Sequence, residues 1–223
     1  MNKYSHCLWI IPGSALVMLC ITRNPLFLPG LTVGMLLVGG AYMMRRDWRT
    51  RIAALPLWLG LAFTLLGDTF LVFRNAFVGS IDFIFGVIGF SFSQISWLCF
   101  SWKRGSFNKW VGIPLFSICC PFYVFILFPA LRGTGLQFVV AVYALLSCLN
   151  LSLFSGAQVT GKICLTSAIA VLLFSDTMIA LGSMIYIGQV LVLVGPTYLI
   201  SLVLMGIGAA RFTLKYNVAG NML

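Results

Sequence analysis

Eight apolar runs, each long enough or nearly so to cross a bilayer as a helix, follow one another along this chain with charged or turn-forming residues between them. The runs cover residues 6–22, 25–44, 52–73, 79–101, 110–131, 136–157, 162–183 and 189–210. An α-helix of about 20 residues crosses the roughly 30 Å hydrocarbon core of a bilayer. Helices are required there because lipid offers no hydrogen-bond partner to an unpaired backbone group. The pattern therefore predicts one all-α domain over residues 1–223, a polytopic transmembrane bundle of about eight helices.

The low charge of the chain excludes a soluble fold. Hydrophobic residues make up 61% of the sequence and charged residues 8%, whereas roughly a quarter of the residues in soluble domains are charged. A soluble fold of this size would have to expose too much of that apolar surface to water. The run that ends at Thr22 has the length of a signal peptide, but no small-x-small cleavage site follows it. We therefore interpret it as the first transmembrane helix.

Lysine and arginine are distributed unequally between the two sides of the predicted bundle. Eleven of them fall at the N-terminus, in the second, fourth and sixth loops and in the C-terminal tail, against three on the other side. The three are Arg23, Arg74 and Arg132. The positive-inside rule then places both termini in the cytoplasm, and a bacterial chain of this kind would lie in the inner (plasma) membrane. The net charge of +10 forms no basic face on a soluble element, so nucleic acid is not an expected partner.

Two short segments indicate an internal repeat. Residues 67–72 (GDTFLV) in the third run resemble residues 175–180 (SDTMIA) in the seventh, and the separation of the two aspartates is close to half the length of the chain. The seventh run is the fourth after the third, so the two helices would point in the same direction. A parallel four-plus-four duplication would give this arrangement.

The acidic residues are four aspartates, and two of them lie inside apolar runs. An ionised carboxylate at such a position costs several kcal/mol unless it is paired, protonated or hydrated. Asp68 and Asp176 lie roughly 24 and 20 Å from the cytoplasmic starts of their runs, at similar depths in the outer half of the membrane. Facing one cavity, they could share a proton and act as one acid and one base. Alternatively, each could bond a neighbouring helix and only hold the bundle together.

Other polar residues near this layer have weaker functional signals. Asp82 opens the fourth run, where a carboxylate caps free N–H groups. Gln94 and Trp97 follow one turn apart on the same run, and a buried glutamine usually bridges helices. Arg74 is placed to pair with a lipid phosphate or to extend to the interface.

The remaining metal-binding residue types form no recognisable site. The seven cysteines all lie within or beside apolar runs, and the single histidine is His6. We interpret the cysteines as packing residues and expect neither a metal nor another cofactor.

The order and spacing of the polar residues are similar to those of the YhhN family, multi-pass proteins that include the mammalian lysoplasmalogenases. The resemblance covers about residues 55–210. Its motifs are Gly67-Asp68-x-x-Leu71, Phe83-x-x-Gly86-x-x-x-Phe90-x-x-x-Gln94-x-x-Trp97, Phe174-Ser175-Asp176-x-x-Ile179-Ala180 and Thr197-Tyr198.

This resemblance implies an eight-helix membrane enzyme that hydrolyses the vinyl ether bond of lysoplasmalogens. Its partners would be a lysophospholipid-like amphiphile and membrane lipid, and its products a fatty aldehyde and a glycerophospho-head group. Asp68 and Asp176 would be the catalytic acids. Supporting or substrate-contacting roles would fall to Asp82, Gln94, Trp97, Arg74, Ser175 and Tyr198.

The chain departs from the family pattern at two places. The pattern has His-x-x-Tyr where this chain has Gln94-x-x-Trp97, and a glutamine where this chain has Leu202. Loss of the histidine removes a proton carrier or an orienting donor.

The sequence is also compatible with two other classes of membrane protein. A small transporter or channel would use the same aspartates to bind a cation or relay protons, and an assembly factor would carry no chemistry. A zinc hydrolase of the ceramidase type is disfavoured because one histidine cannot supply a three-histidine site. A retinal protein is disfavoured because the lysine near the seventh run, Lys162, lies at its cytoplasmic start.

The charge asymmetry makes a topological prediction. Reporter fusions after Arg51, Arg104 and Arg211 are expected to read as cytoplasmic, and fusions at Arg74 and Arg132 as external. A C-terminus found on the external side would contradict the count of eight spans.

Overall fold

A computed structural model describes residues 9–22, 27–73, 80–184 and 188–216. These residues form eight helices and, within the described ranges, no strand. The helices are α1 (Ile10–Thr22), α2 (Phe27–Met44), α3 (Trp48–Asp68), α4 (Ile81–Arg104), α5 (Lys109–Phe122), α6 (Gln137–Gly156), α7 (Lys162–Ile179) and α8 (Val194–Lys215). Short π-helical or 3₁₀ segments extend several of them: Thr69–Phe73 after α3, Tyr123–Leu127 and the helical turn Phe128–Ala130 after α5, Ala180–Met184 after α7, and Gly188–Leu193 before α8.

The predicted all-α membrane fold is confirmed. Seven of the helices are long and apolar enough to cross a bilayer. The described part of α1 is a shorter apolar helix, and residues 6–8 of its predicted span lie outside the described ranges. The exposed indoles of Trp48, Trp102 and Trp110, each at least 70% accessible, lie at helix ends as expected for an interfacial belt.

Polar residues in the loops set the helix starts. Asp47 caps α3: its carboxylate accepts hydrogen bonds from the Thr50 hydroxyl (2.6 Å) and backbone N–H (3.2 Å), and these bonds hold the pKa of Asp47 below its usual range. Ser80 caps α4 by accepting from the Phe83 N–H at 3.2 Å. The N-cap residue of α4 is thus Ser80, and Asp82 lies in the first turn, where we expected a carboxylate beside the free N–H groups.

The helices pack in an order that repeats between the two halves of the chain. Consecutive helices pack against each other within each half, most extensively α3 with α4 and α7 with α8. Between the halves, α4 packs against α6, α8 packs against α2, and α3 also packs against α8. Exchanging the first four helices with the last four converts each of these contacts into another member of the set, except the contact between α3 and α8, which has no counterpart of similar extent.

The two halves of the chain can be aligned so that Asp68 coincides with Asp176, and we call this alignment the register of the repeat. It aligns α1 to α4 with α5 to α8, and the π-helical turns that end α3 and α7 fall at nearly the same place. Gly67 and Ser175 are equivalent in this register, as are Gly86 and Val194. A Cβ atom on Gly67 would lie 3.1 Å from the Gly86 carbonyl oxygen, and the Ser175 hydroxyl donates to the Val194 carbonyl at 3.2 Å. The same helix contact is thus made twice, which supports the parallel four-plus-four duplication.

Two tryptophans of the central core fit against glycines of neighbouring helices. The Trp58 ring lies on Gly39 of α2, and its indole N–H donates to the Thr213 hydroxyl of α8 at 3.1 Å. The Trp97 ring lies on Gly60 of α3, and its indole N–H donates to the Leu57 carbonyl at 3.2 Å. Small residues at such seams let helix backbones approach closely within a membrane.

Adjacent glycines on α2 give a matched test of this packing. In Gly39→Ala the new methyl group overlaps the Trp58 ring, and we expect a loss of about 1–3 kcal/mol, less the gain of about 0.5–1 kcal/mol from helix propensity. Gly40→Ala meets no atom within 4 Å and should be neutral or slightly stabilising. Thermal unfolding of both variants in the same detergent checks this, and equal melting temperatures would show that the Trp58 contact is misassigned.

Candidate functional site

Asp68 lies at the last α-helical position of α3, immediately before a π-helical turn of the kind frequently found at functional sites. By helical rise it is roughly 30 Å from the start of α3. The side chain is 2% exposed, and its Oδ1 atom accepts a hydrogen bond of 2.7 Å from the Tyr198 hydroxyl of α8. Its Oδ2 atom is buried and has no hydrogen-bond partner among the described residues.

A glycine seam and an aromatic ring position this first pair. Gly67 and Gly89 bring α3 and α4 so close that a Cβ on Gly89 would lie 2.9 Å from the Gly67 nitrogen. Phe90 of α4 meets the Tyr198 ring edge to face, with centroids 6.1 Å apart and an interplanar angle of 90°. This contact is of the kind that stabilises aromatic pairs. The Tyr198 hydroxyl is thereby held toward Asp68.

Asp176 lies on α7, roughly 21 Å from the helix start by helical rise, and is half-buried. Its Oδ2 atom accepts a hydrogen bond of 2.6 Å from the Tyr143 hydroxyl of α6. The preceding residue, Ser175, is fully buried and ties α7 to the start of α8 through the Val194 carbonyl.

The second pair continues into a chain of buried polar side chains. The Gln94 amide nitrogen lies 3.5 Å from the Tyr143 hydroxyl. The Asn150 amide nitrogen donates to both the backbone carbonyl and the side-chain carbonyl of Gln94, each at 2.8 Å. The Ser101 hydroxyl donates to the Asn150 side-chain carbonyl at 3.1 Å. Gln94 therefore bridges α4 and α6, as expected for a buried glutamine.

The two aspartate–tyrosine pairs lie near each other in the bundle. The Tyr198 hydroxyl, bonded to Asp68, is also close enough to interact electrostatically with both Tyr143 and Asp176. Within the described part of the chain, each carboxylate accepts its hydrogen bond from a tyrosine, and no hydrogen bond joins the two carboxylates. The two aspartate–tyrosine pairs therefore lie within electrostatic range of each other.

The other residues predicted from the sequence have no hydrogen bond to either aspartate among the described residues. Trp97 contacts the α3 backbone at Leu57 and is 1% exposed in the core. Leu202 is buried among apolar side chains. Asp82 lies at the opening of α4. Arg74 falls outside the described residues.

Sequence reasoning missed Tyr143 and Asn150. Both lie on α6 with Ser147 between them, at positions i, i+4 and i+7, so the three share one face of an otherwise apolar helix. That polar stripe was the available signal. The Ser147 hydroxyl is buried and has no hydrogen-bond partner among the described residues.

The arrangement is suited to proton transfer. A carboxyl group that accepts one phenolic hydrogen bond is held in a fixed orientation and can still give or take a proton. Among the described residues, no group of three or more His, Cys, Asp or Glu side chains could hold a metal ion.

Comparison with known families decides where the chain belongs. A model described as the YhhN family matches residues 17–212, nearly the whole chain. The chain belongs to the YhhN family. The matched region contains both aspartates and both tyrosines of the site, so the site lies within the part that defines this YhhN protein. Comparisons with curated proteins and with solved structures gave no match.

Proposed function

We propose that this YhhN protein is a membrane-embedded hydrolase of the lysoplasmalogenase type, which cleaves the vinyl ether bond of a lysoplasmalogen. The observation that carries the proposal is the pairing of Asp68 with Tyr198 and of Asp176 with Tyr143 in one site. Family membership supports the same reaction class, since the YhhN resemblance implies two catalytic aspartates.

The proposed reaction needs an acid and a base, which two carboxyl groups supply. One aspartic acid protonates the alkene carbon remote from the ether oxygen and leaves an oxocarbenium ion. The other, ionised, stabilises that cation and takes a proton from the attacking water. The resulting hemiacetal breaks its bond to the glycerol oxygen, which takes up a proton, and releases the aldehyde. Water is the only co-reactant.

The location of the site suits an amphiphilic substrate. Asp68 and Asp176 lie well along their helices from the predicted cytoplasmic side, inside segments that are long and apolar enough to span a membrane. A single-chain lipid could place its vinyl ether near this depth with its head group toward the outer interface. A proton or cation transporter built on the same carboxylates is the competing proposal.

Aldehyde release from purified protein distinguishes the enzyme from the transporter. Detergent-solubilised protein given a lysoplasmalogen is expected to release fatty aldehyde and the glycerophospho-head group without a sealed compartment. Turnover is expected to survive strong chelators, since the proposed chemistry uses aspartates alone. Failure to form aldehyde, together with ion or proton flux in sealed proteoliposomes, would favour the transporter.

Asparagine substitutions of the two aspartates test the assignment of the residues. Asp68→Asn and Asp176→Asn preserve shape but cannot exchange a proton, so each should lower turnover by about two to four decades. The double variant should be little worse than either single variant, because residues that act as a unit are not additive. Thermal stability should hold or rise, since the change removes a buried ionisable group. Destabilised variants with near-normal specific activity would contradict the catalytic assignment.

A further inference from the structure

The orientation of the hydrogen-bond chain beside Asp176 is fixed by a backbone carbonyl. The Gln94 main-chain oxygen can only accept, so the Asn150 atom 2.8 Å from it must be the amide nitrogen. That nitrogen also lies 2.8 Å from the Gln94 side chain, whose facing atom must then be the carbonyl oxygen. The Gln94 amide nitrogen is left to face the Tyr143 hydroxyl, whose own proton points to Asp176.

Every donor in this chain therefore points toward Asp176. Ser101 donates to Asn150, Asn150 to Gln94, Gln94 to Tyr143, and Tyr143 to the Asp176 carboxylate. Hydrogen bonds in series polarise one another, and a bond to a charged acceptor is stronger than one to a neutral acceptor. The chain thus favours a negative charge on Asp176.

Asp68 has the opposite surroundings. Its carboxyl group is 2% exposed and accepts one hydrogen bond, from Tyr198, while Oδ2 has no partner among the described residues. A buried charge with one oxygen unsatisfied is costly. With the proton on Oδ2 the group is neutral, and the cost of a buried, half-satisfied charge is removed.

The internal repeat shows that the different surroundings of Asp68 and Asp176 come from the neighbouring side chains and not from the arrangement of the helices. In the register that places Asp68 on Asp176, Tyr143 and Asn150 correspond to Met35 and Tyr42 in the first half, and Gln94 corresponds to Leu202 in the second. Met35 and Leu202 are apolar and 1% exposed. The half of the repeat that would serve Asp68 therefore lacks the tyrosine–glutamine part of the donor chain.

We propose that the two aspartates are held in opposite protonation states, with Asp68 protonated and Asp176 ionised by the donor chain from Ser101 through Asn150, Gln94 and Tyr143. Resting on the proposed function, this assigns Asp68 as the acid that protonates the vinyl ether. Asp176 is then the base and cation stabiliser. Gln94, Asn150 and Tyr143 are positioning residues that act through Asp176.

The titratable groups that face Asp176 are few. Tyr143 approaches it from α6 and Tyr198 from α8, with Asp68 beyond Tyr198 on α3. On the α4 side the chain presents Gln94, whose amide does not titrate.

Infrared spectroscopy of the purified protein in lipid, without substrate, tests the assignment. The chain has four aspartates and no glutamate, so the carbonyl stretch of a protonated carboxyl group can be assigned with single variants. We expect the wild type at neutral pH to show this band from one buried carboxyl group. Asp68→Asn should abolish the band, and Asp176→Asn should retain it.

Breaking the donor chain should add a second band. Tyr143→Phe and Asn150→Leu remove donors, and in either variant Asp176 is expected to take up a proton at neutral pH. Ser152→Ala is the matched control on α6, because the buried Ser152 hydroxyl donates to the Cys148 carbonyl of its own helix and, among the described residues, to no other group. It should leave the spectrum unchanged.

The outcomes separate this proposal from the proposed function. A band that persists in Asp68→Asn and is lost in Asp176→Asn would overturn the assignment, as would no band or two bands in the wild type. An unchanged spectrum in both chain-breaking variants would overturn the role of the donor chain. The spectra need no turnover, so a protein that gives the expected bands but releases no aldehyde refutes the hydrolase while the protonation assignment stands.

Discussion

A polar group inside a bilayer must find its partner within the protein, because hydrocarbon provides none. This constraint makes every span of the YhhN protein a helix. It also requires each intramembrane carboxyl group to have a partner or a proton, since burial of an unpaired charge costs several kcal/mol. Asp68 and Asp176 meet the constraint in the same way, each by accepting a tyrosine hydroxyl from another helix.

The two carboxyl groups occupy related places in the chain. Each half carries one aspartate near the end of its third helix, and a π-helical turn follows that helix in both halves. Two equal carboxyl groups would be poorly suited to a reaction that needs an acid and a base. The partners of the two aspartates differ: Tyr143 and Gln94 lie beside Asp176, whereas the apolar Met35 and Leu202 stand at the equivalent positions of the other half. A reaction that needs an acid and a base would use this difference.

Much of the fold could be predicted from the sequence because hydropathy is read over about 20 residues at a time. With their π-helical and 3₁₀ extensions, α2 to α8 begin and end within five residues of the apolar runs. The two aspartates were found because charge inside an apolar run is rare. The connection of Gln94 to Asn150 and Tyr143 was not predicted, since it depends on how α4 meets α6, and sequence spacing does not give the rotation of one helix against another. Asp82 lies in the first turn of α4, as expected, and Ser80 supplies the N-cap hydroxyl two residues earlier.

The central claim is that the aspartate pair delivers a proton to the carbon of a vinyl ether. Mass spectrometry of the aldehyde formed in heavy water tests this directly, since protonation at carbon leaves a solvent hydrogen that does not leave in later steps. The account predicts one deuterium on the carbon next to the aldehyde group, with loss of product formation in Asp68→Asn. An aldehyde without solvent deuterium at that carbon, or one formed at an undiminished rate by Asp68→Asn, would contradict it.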